Sequence, residues 1–522
     1  MPASDNDLSA QFKKSVRVAS ENGDESSDVF HDAASVSDSA VTDFEDSDYG
    51  TTMPPAPSFK SVLVHFLSKF ASAQGTDLFS MSSPAIICNG ISVLEYCAHY
   101  CDHPEFLAAI AKGQEPVDRL LFVVQWFISG LFGSYASRTS STGIERKPFN
   151  PILGERFFAR WKDQGDGECI MTAEQVSHHP PTTAFYLSNE KAGVYVNAFS
   201  TQKTRLQLPS IRVEQQGNVF LYVREHEEEY MITMPQLYVR GLVTGATFLE
   251  ICGDVSIVSS AGFGAKMRFI PKPWFSGDYD QVEAVIFDTK SGKIHFDIWG
   301  KWSGTVYFAE HDNEKDKRTC HFKKNGAMPA SPTSASASES SSSSNLSVPT
   351  SPGSEASGST YENVGKANVG DDPYASLVGN RAGQKGAILF DPEMFPKVPF
   401  EVQPIAKQGP MESRRVWHSV TKALKKSDWD AANAAKDAIE NEQRALRKER
   451  AEKGQIWVPE FFEFKDFCFM PKVAEKNRDH LNEVLVNVLK DESKNPSASP
   501  LAGRVPYAGR WVFKDFSSKQ MK

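Results

Sequence analysis

The sequence lacks several features that would place it in familiar protein classes. Its seven cysteines are an odd number and form no C-x-x-C pair, which excludes a zinc ribbon or a disulfide framework and favours reduced thiols in the cytosol. The acidic, serine-rich N-terminus has no apolar stretch and is therefore not a secretory signal. No G-x-S-x-G nucleophile elbow is present. We therefore expect no catalytic residue, no metal site and no cofactor.

Long apolar runs and long basic blocks are also missing. Because crossing a bilayer takes about 18 consecutive apolar residues, we predict no membrane-spanning helix and only peripheral membrane contact. A nucleic-acid groove is not indicated either. The net charge of −9 is concentrated in residues 1–57, which carry twelve acidic and three basic side chains, whereas the remainder carries 54 of each sign.

Two segments are too polar to build a core. Residues 1–57 are rich in Ser, Asp and Glu, and fourteen of the thirty residues 331–360 are Ser. Such segments bury too little apolar surface to offset their chain entropy. We predict a disordered acidic tail over residues 1–57 and one domain over 58–522. A disordered Ser-rich insertion, about 327–370, would interrupt that domain in a surface loop.

Apolar periodicity predicts helices near both ends of the domain. Residues 58–130 read as helical, with a second apolar run from Arg119 to about Ser134, and a late helix is expected from about Asp428 to Lys453. The first of these regions carries one apolar stripe with a period of about 3.6 residues. Its members are Phe59, Val62, Leu63, Phe66, Leu67 and Phe70.

The middle of the chain has a different residue pattern. From about Phe157 to Phe308, short runs of β-branched and aromatic residues alternate with Gly, Asn, Asp and Pro turns. Such spacing is typical of an antiparallel meander, here large enough to curl toward a barrel. The chain is 11% aromatic, with 35 Phe and 9 Trp, which suits a β-rich body around an apolar cavity or a well-filled core.

A pair of histidines stands out within this middle region. His178 and His179 follow Glu174 and precede two prolines, which stop a strand because they remove backbone donors and fix φ. Zinc binding would want a further ligand at a typical spacing, and catalysis would want a nucleophile; neither is present. Anion binding needs only nearby cations. From the residues alone, an anion site and a turn without a ligand both stay open.

Two further segments are ambiguous by themselves. Lys436, Glu440 and Arg444 stand at i, i+4 and i+8 of the late helix and share one face, which fits either a functional ladder or a solvated charged face. Lys147–Glu155 is an apolar, proline-punctuated loop without the glycine spacing of a phosphate-binding loop. Alone, it predicts a tight turn entering the sheet.

Together, these segments resemble the oxysterol-binding protein family. Glu174–Pro181 reads E-Q-V-S-H-H-P-P and matches the eight-residue family signature without a departure. Lys147–Glu155 looks like the family's K-P-x-N-P-x-L-G-E segment, and Lys436–Glu449 resembles its late helix. Glu412–Trp417 and Trp302–Gly304 also fit. The resemblance covers roughly residues 58–322 and 384–516.

The resemblance implies an α+β, β-dominated fold. Its body is a large incomplete antiparallel β-barrel around a lipid tunnel, with an N-terminal helical lid, about residues 58–80, and a C-terminal helical subdomain. The apolar stripe described above falls where the lid is expected. The chain looks like a short, yeast-type member lacking a pleckstrin-homology domain.

The resemblance also implies roles for individual residues. Phosphatidylinositol 4-phosphate would be held by cationic and polar groups at the tunnel mouth, namely Lys147, Asn150, His178, His179, Lys436, Glu440 and Arg444. Sterol would be held by Tyr100 and Tyr135, although Ser134 stands where sterol-binding members carry Gln. The late segment Glu460–Phe464 resembles an acidic-Phe docking motif, but its position inside the domain favours buried core phenylalanines.

The function expected from this resemblance is non-enzymatic lipid transfer. Sterol and phosphatidylinositol 4-phosphate would compete for one tunnel and be exchanged between membranes. The alternatives are a phosphoinositide-regulated sensor or scaffold, a carrier of another lipid such as phosphatidylserine, and a hydrolase using the histidine pair. We expect a cytoplasmic monomer, with no nucleic-acid partner, that associates peripherally with endoplasmic reticulum, Golgi or related membranes.

Overall fold

A computed structural model describes most of the predicted domain. It covers residues 54, 59–72, 82–136, 145–178, 180–207, 209–242, 244–272, 278–311, 386–466 and 509–514. The predicted Ser-rich insertion and, apart from Pro54, the predicted acidic tail lie outside the described residues.

Helices flank a large sheet in chain order. The α-helices of the described residues are α1 Phe59–Ser72, α2 Val93–Tyr96, α3 Pro104–Lys112, α4 Pro116–Tyr135, α5 Ser413–Val416, α6 His418–Lys425 and α7 Trp429–Glu452. Short 3₁₀ helices cover Ala85–Ile87, Cys97–Cys101 and Ile405–Lys407. The strands before the main meander are β1 Cys88–Ser92 and β2 Lys147–Phe149, which pair in parallel.

The predicted antiparallel meander is confirmed. Its strands are β3 Arg156–Trp161, β4 Cys169–His178, β5 Pro181–Asn189, β6 Val194–Gln207, β7 Ser210–Val223, β8 Glu228–Thr233, β9 Gln236–Arg240, β10 Phe248–Ser259, β11 Phe263–Ile270, β12 Gln281–Asp288, β13 Ile294–Lys301, β14 Val306–Glu310 and β15 Ala387–Phe390. Strand order follows chain order, except that β8 and β9 lie end to end between β7 and β10. Pro235 lies between β8 and β9, where its missing N–H suits a break in the ladder. A separate two-stranded antiparallel sheet is formed by β16 Phe462–Asp466 and β17 Gly509–Phe513.

The two edges of the sheet are linked by the chain that follows β15. This segment returns to β3, where Arg160 and Glu401 exchange backbone hydrogen bonds of 3.0 and 2.7 Å. The Arg156 N–H also donates to the Met411 carbonyl at 2.8 Å. β3 and β15 are not neighbours in the sheet order, so the barrel is incomplete, as predicted.

Helix α4 lies in the main core and packs against β11, β12 and β15. By length and composition it could cross a membrane, with a mean hydropathy of 1.2, yet 89% of that window is buried within the structure. The predicted apolar run from Arg119 to about Ser134 forms most of this helix. Arg119 there makes a buried two-pronged ion pair with Glu228, at 2.8 and 2.5 Å.

Two expectations from composition are corrected. Residues 58–130 are not helical throughout, because β1 lies within them and forms through pairing with β2. Of the phenylalanines near the acidic-Phe motif, Phe462 is buried as predicted, whereas Phe464 is exposed. The two residues are two apart and therefore lie on the same face of β16. Phe462 packs in a cluster with Val176 and Tyr186, whereas Phe464 lies further along the strand, with its ring 5.4 Å from that of Trp511.

Candidate functional site

The histidine segment forms the tight connection between β4 and β5. The two strands pair regularly from Cys169 to Gln175, and the register then shifts before Ser177. A bulge of this kind bends a strand and re-aims the side chains beyond it. β4 ends at His178, which pairs with Pro181, so the strand stop expected from the prolines is confirmed. His179 lies outside the described residues.

Glu174, at the start of the same segment, holds a distant part of the chain in place. Its carboxylate is fully buried and accepts the backbone N–H groups of Glu460 and Phe461, each at 2.8 Å. Burial raises the pKa of Glu174, and these two hydrogen bonds act against that rise. The contact fixes the segment after α7 against β4.

Glu155, the last residue of the Lys147–Glu155 segment, plays a similar part. Its fully buried carboxylate accepts from Ser92 Oγ at 2.5 Å and from Ser413 Oγ at 2.7 Å. Trp417 Nε1 donates to it at 3.0 Å and the Ile152 N–H at 2.9 Å. Burial raises the pKa of Glu155, against the effect of these donors. One carboxylate thus ties β1, the turn before β3 and the α5–α6 region together.

The predicted ladder on α7 is present and internally paired. Lys436 is buried and its ammonium contacts the Glu440 carboxylate, while Arg444 Nη2 lies 3.3 Å from Glu440 Oε2. Burial would raise the pKa of Glu440, but Lys436 and, more weakly, Arg444 outweigh that effect and hold the pKa below its usual value. Glu440 is therefore ionised at neutral pH and orients both cations.

A pocket of about 380 Å³ brings together four of the seven predicted headgroup residues. Asn150, His178, Glu440 and Arg444 all line it. Lys436 lies behind Glu440 rather than on the surface of this pocket. The remaining lining residues are Ser82, Ile152, Leu153, Trp417, Gln443, Arg447, Arg450, Ala451, Gln455 and Trp457. We refer to this site as the cationic pocket, since its three arginines outnumber its one carboxylate.

An apolar cavity of about 150 Å³ lies beneath α1, and we call it the lid cavity. Phe59, Leu63, Phe66 and Leu67 of the predicted lid stripe line it. Val62 is half-buried against the same cluster, and the side chain of Phe70 lies outside the described residues. The opposite wall is formed mainly by aliphatic residues of the sheet and its loops, among them Ile211, Val213, Leu237, Val239, Leu242 and Leu249.

Asn150 lines both the cationic pocket and the lid cavity. Its Oδ1 accepts a hydrogen bond from Lys147 Nζ at 2.6 Å, and Lys147 lines the lid cavity. A charged pocket and an apolar cavity therefore share one wall. This arrangement suits an amphipathic ligand whose anionic head and apolar tail occupy adjoining spaces.

Comparison with known proteins identifies the family. The family model described as "Oxysterol-binding protein" matches residues 65–484. The chain belongs to the oxysterol-binding protein family. Protein kes1 of Schizosaccharomyces pombe is 31% identical over 409 residues, covering 78% of this chain and 88% of that protein.

Solved structures of the family share the fold. The Osh1 ORD domain in complex with ergosterol aligns with a TM-score of 0.54 and 21% identity, covering 83% of this chain and 91% of that one. The Osh3 ORD from Saccharomyces cerevisiae in complex with PI(4)P aligns with a TM-score of 0.52 and 19% identity, covering 84% and 97% of the two chains. The predicted β-dominated α+β architecture is confirmed.

The oxysterol-binding fold adds pocket residues that the sequence predictions missed. Arg447 and Arg450 continue along α7 beyond Arg444 and line the cationic pocket. Extending the i, i+3, i+4 spacing of the ladder by one turn would have found Arg447. Trp457 belongs to the segment after α7 and reaches the pocket by packing on Gly154. No local sequence pattern predicts this contact.

The two tyrosines predicted for sterol occupy different surroundings. Tyr135 lines the lid cavity, and its hydroxyl donates to Gln215 Oε1 at 3.4 Å. Tyr100 lies in the main core, with its ring 5.2 Å from that of Phe185 and its hydroxyl 3.9 Å from Met234 Sδ. Burial raises the pKa of Tyr100 well above its usual value. Tyr135 therefore lies at the lid cavity, whereas Tyr100 packs in the core.

Proposed function

We propose that this chain carries lipids between membranes without altering them chemically. The observation that carries the proposal is the wall at Asn150 shared by the cationic pocket and the lid cavity. A membrane lipid needs both environments at once, because its tail must stay dry while its head keeps polar partners. The relatives support this reading, since Osh ORD structures contain ergosterol, cholesterol or PI(4)P.

Phosphatidylinositol 4-phosphate is the proposed headgroup ligand of the cationic pocket. Its phosphates are multiply anionic and match a pocket lined by Arg444, Arg447 and Arg450 beside His178. Glu440 would orient Arg444 and accept a hydrogen bond from an inositol hydroxyl. Lys147 and Asn150 would contact the head where the two spaces meet.

Sterol is the proposed second cargo and would compete for the lid cavity. Tyr135, whose hydroxyl donates to Gln215 Oε1, supplies a polar group within walls that are mostly apolar, as a hydroxylated apolar ligand requires. Because residues of α1 form part of these walls, α1 would move aside for a lipid to enter. We propose that exchange takes place at cytoplasmic faces of endoplasmic reticulum, Golgi or related membranes, by a monomer and without covalent chemistry.

The direct test is the double substitution His178→Ala with His179→Ala. We expect loss of phosphoinositide extraction from vesicles, with sterol extraction largely kept. Equal loss of both would assign the pair a structural role and remove this ligand assignment. Lys448→Ala is a suitable control, since Lys448 is exposed on α7 and does not line the pocket.

Transfer itself is tested between donor and acceptor vesicles. A protein that binds labelled phosphoinositide but moves no lipid would be a sensor or scaffold. Mass spectrometry of co-purifying lipids distinguishes sterol from another cargo such as phosphatidylserine. Recovery of chemically unchanged lipid after long incubation is expected, and conversion of the lipid would favour a hydrolase.

A further inference from the structure

The segment that follows α7 exposes two large apolar side chains beside the cationic pocket. Ile456 is 89% exposed and Val458 is 72% exposed, the highest values for large apolar residues among those described. Between them, Trp457 lines the pocket, as does the preceding Gln455. Single exposed apolar residues are ordinary, but a pair at the rim of a binding pocket is typical of an interaction site.

The structure holds this pair in an outward position. Trp457 packs on Gly154 so closely that a Cβ there would lie 2.5 Å from the indole ring, and the Arg450 guanidinium lies 5.7 Å from the same ring. Beyond the pair, the backbone N–H groups of Glu460 and Phe461 are bound by the buried Glu174. Because the segment is fixed at both sides, little conformational entropy would be lost when the exposed pair is buried.

The charge around this pair indicates the partner. Residues 444–453 at the end of α7 carry five basic and two acidic side chains, a net charge of +3 on a chain whose overall charge is −9. Arg444, Arg447 and Arg450 of this run face the pocket that the apolar pair borders. Apolar tips next to a local basic surface match the interface of an anionic bilayer, where apolar side chains enter the acyl region and cations lie at the headgroups.

We propose that Ile456 and Val458 form a membrane-insertion tip that seats the cationic pocket on an anionic lipid surface. The tip lies at the rim of the pocket, so its insertion would bring the pocket opening to the level of the headgroups. The tip therefore gives the proposed lipid-transfer function a docking surface separate from the lid stripe. The inference rests on that function, yet binding of the tip to a bilayer does not require the pocket to be filled.

Co-sedimentation with phosphatidylcholine vesicles containing phosphatidylglycerol tests the tip without offering a proposed cargo. We expect Ile456→Asp with Val458→Asp to weaken vesicle binding by roughly tenfold or more, since burying one such side chain is worth about a tenfold change. The control is Met394→Asp, outside the pocket lining, which is compared with the single substitution Ile456→Asp because each places one negative charge at an exposed apolar residue. Added salt should weaken the remaining binding of both variants.

Three outcomes would overturn the inference. They are vesicle binding by the tip variant equal to that of the unaltered protein, an equal loss in the Met394→Asp control, and a changed oligomeric state of the tip variant with vesicle binding intact. Affinity for a water-soluble short-chain phosphoinositide should stay unchanged in the tip variant, because the pocket is preserved. Failure of the unaltered protein to bind that short-chain lipid would instead remove the proposed headgroup ligand.

Discussion

The cationic pocket and the lid cavity share Asn150, yet they are built in opposite ways. The pocket collects side chains from the β4 end, the turn before β3, α7 and the segment after α7. The cavity is closed largely by one helix whose apolar residues recur at helical spacing. A charged group is stabilised by partners at defined positions, because its hydrogen bonds are directional. Apolar groups are stabilised by exclusion from water, which does not depend on the position of any one partner.

This difference indicates which of the two sites selects its ligand and which accepts ligands of varied shape. Buried carboxylates outside the ligand spaces, Glu155 and Glu174, position the pocket by binding several donors each. The walls of the lid cavity include polar contacts, such as the backbone hydrogen bond of 2.7 Å from Glu145 to Thr247, but most of the lining side chains are apolar. We therefore expect the pocket to discriminate among heads and the cavity to accept apolar bodies of varied shape.

The largest effect should come from placing a charge on the cavity side of α1. Phe66→Asp would bury a carboxylate among apolar residues, at a cost of more than about 3 kcal/mol for the closed position of α1. We expect binding of a fluorescent sterol to fall by roughly a hundredfold, with short-chain phosphoinositide binding little changed. Val64→Asp on the opposite, exposed face of α1 is the matched control. An equal loss of sterol binding in the control would contradict a specific role of the buried apolar stripe, because any charge on α1 would then have the same effect.

Removing a cation from the cationic pocket should have the opposite selectivity, weakening phosphoinositide binding but not sterol binding. Arg444→Gln deletes one charge-assisted partner of the headgroup, worth about 1.5–3 kcal/mol, and should leave sterol binding unchanged. Lys448→Gln removes the same charge one turn further along α7, from a side chain that is 79% exposed. Isothermal titration with a short-chain phosphoinositide measures both variants. If both variants lose the same affinity, the lipid is attracted by the overall positive charge of α7 and not by a direct contact with Arg444.

Periodicity and motif spacing predicted the elements that local sequence controls. The apolar stripe of α1 and the ladder of α7 repeat at helical intervals, so both could be recognised without knowing what they contact. The bounds of α7 were also predictable, since Asp428 caps its first turn by accepting from the Ala431 N–H at 3.0 Å. Beyond its last turn, Gly454 adopts a φ of +63°.

Features that depend on distant partners could not be predicted in the same way. β6 and β7 are fourteen residues each because the ladder extends through polar residues such as Lys203 and Glu214, whose types are not enriched in strands. The approach of Trp457 to Gly154 likewise depends on how α7 leads into the following segment. The family motifs predicted residues of the pocket, but the other residues that line it could be identified only from the folded structure.

A smaller effect should come from Gly154, which joins two pocket segments. Its φ of +82° disfavours any side chain, and an added Cβ would lie 2.5 Å from the Trp457 ring. We expect Gly154→Ala to lower the free energy of unfolding by about 1–3 kcal/mol and to weaken phosphoinositide binding. Gly292→Ala, at a φ of +69° with nothing within 4 Å, isolates the backbone strain. Equal losses in urea unfolding would mean that the contact with Trp457 contributes nothing.

The smallest effect concerns the ion pairs of Glu440 with Lys436 and Arg444 on the α7 side of the pocket. The cations beside Glu440 lower its pKa, so they stabilise the fold above the usual titration range of glutamate. That stability is lost as the pH falls through the lowered pKa. Glu440→Gln should therefore reduce the free energy of unfolding by about 0.5–1 kcal/mol at neutral pH, and the difference should vanish in acid.

Urea unfolding across pH measures this difference for the protein without ligand. Glu442→Gln is the matched control on α7, since Glu442 has no ion-pair partner among the described residues. A loss that persists unchanged in acid would assign Glu440 a packing role instead of an electrostatic one. If only the Glu440 variant shows the pH-dependent loss, the carboxylate in this cationic pocket serves to position Lys436 and Arg444, and the pocket retains a net positive charge for its ligand.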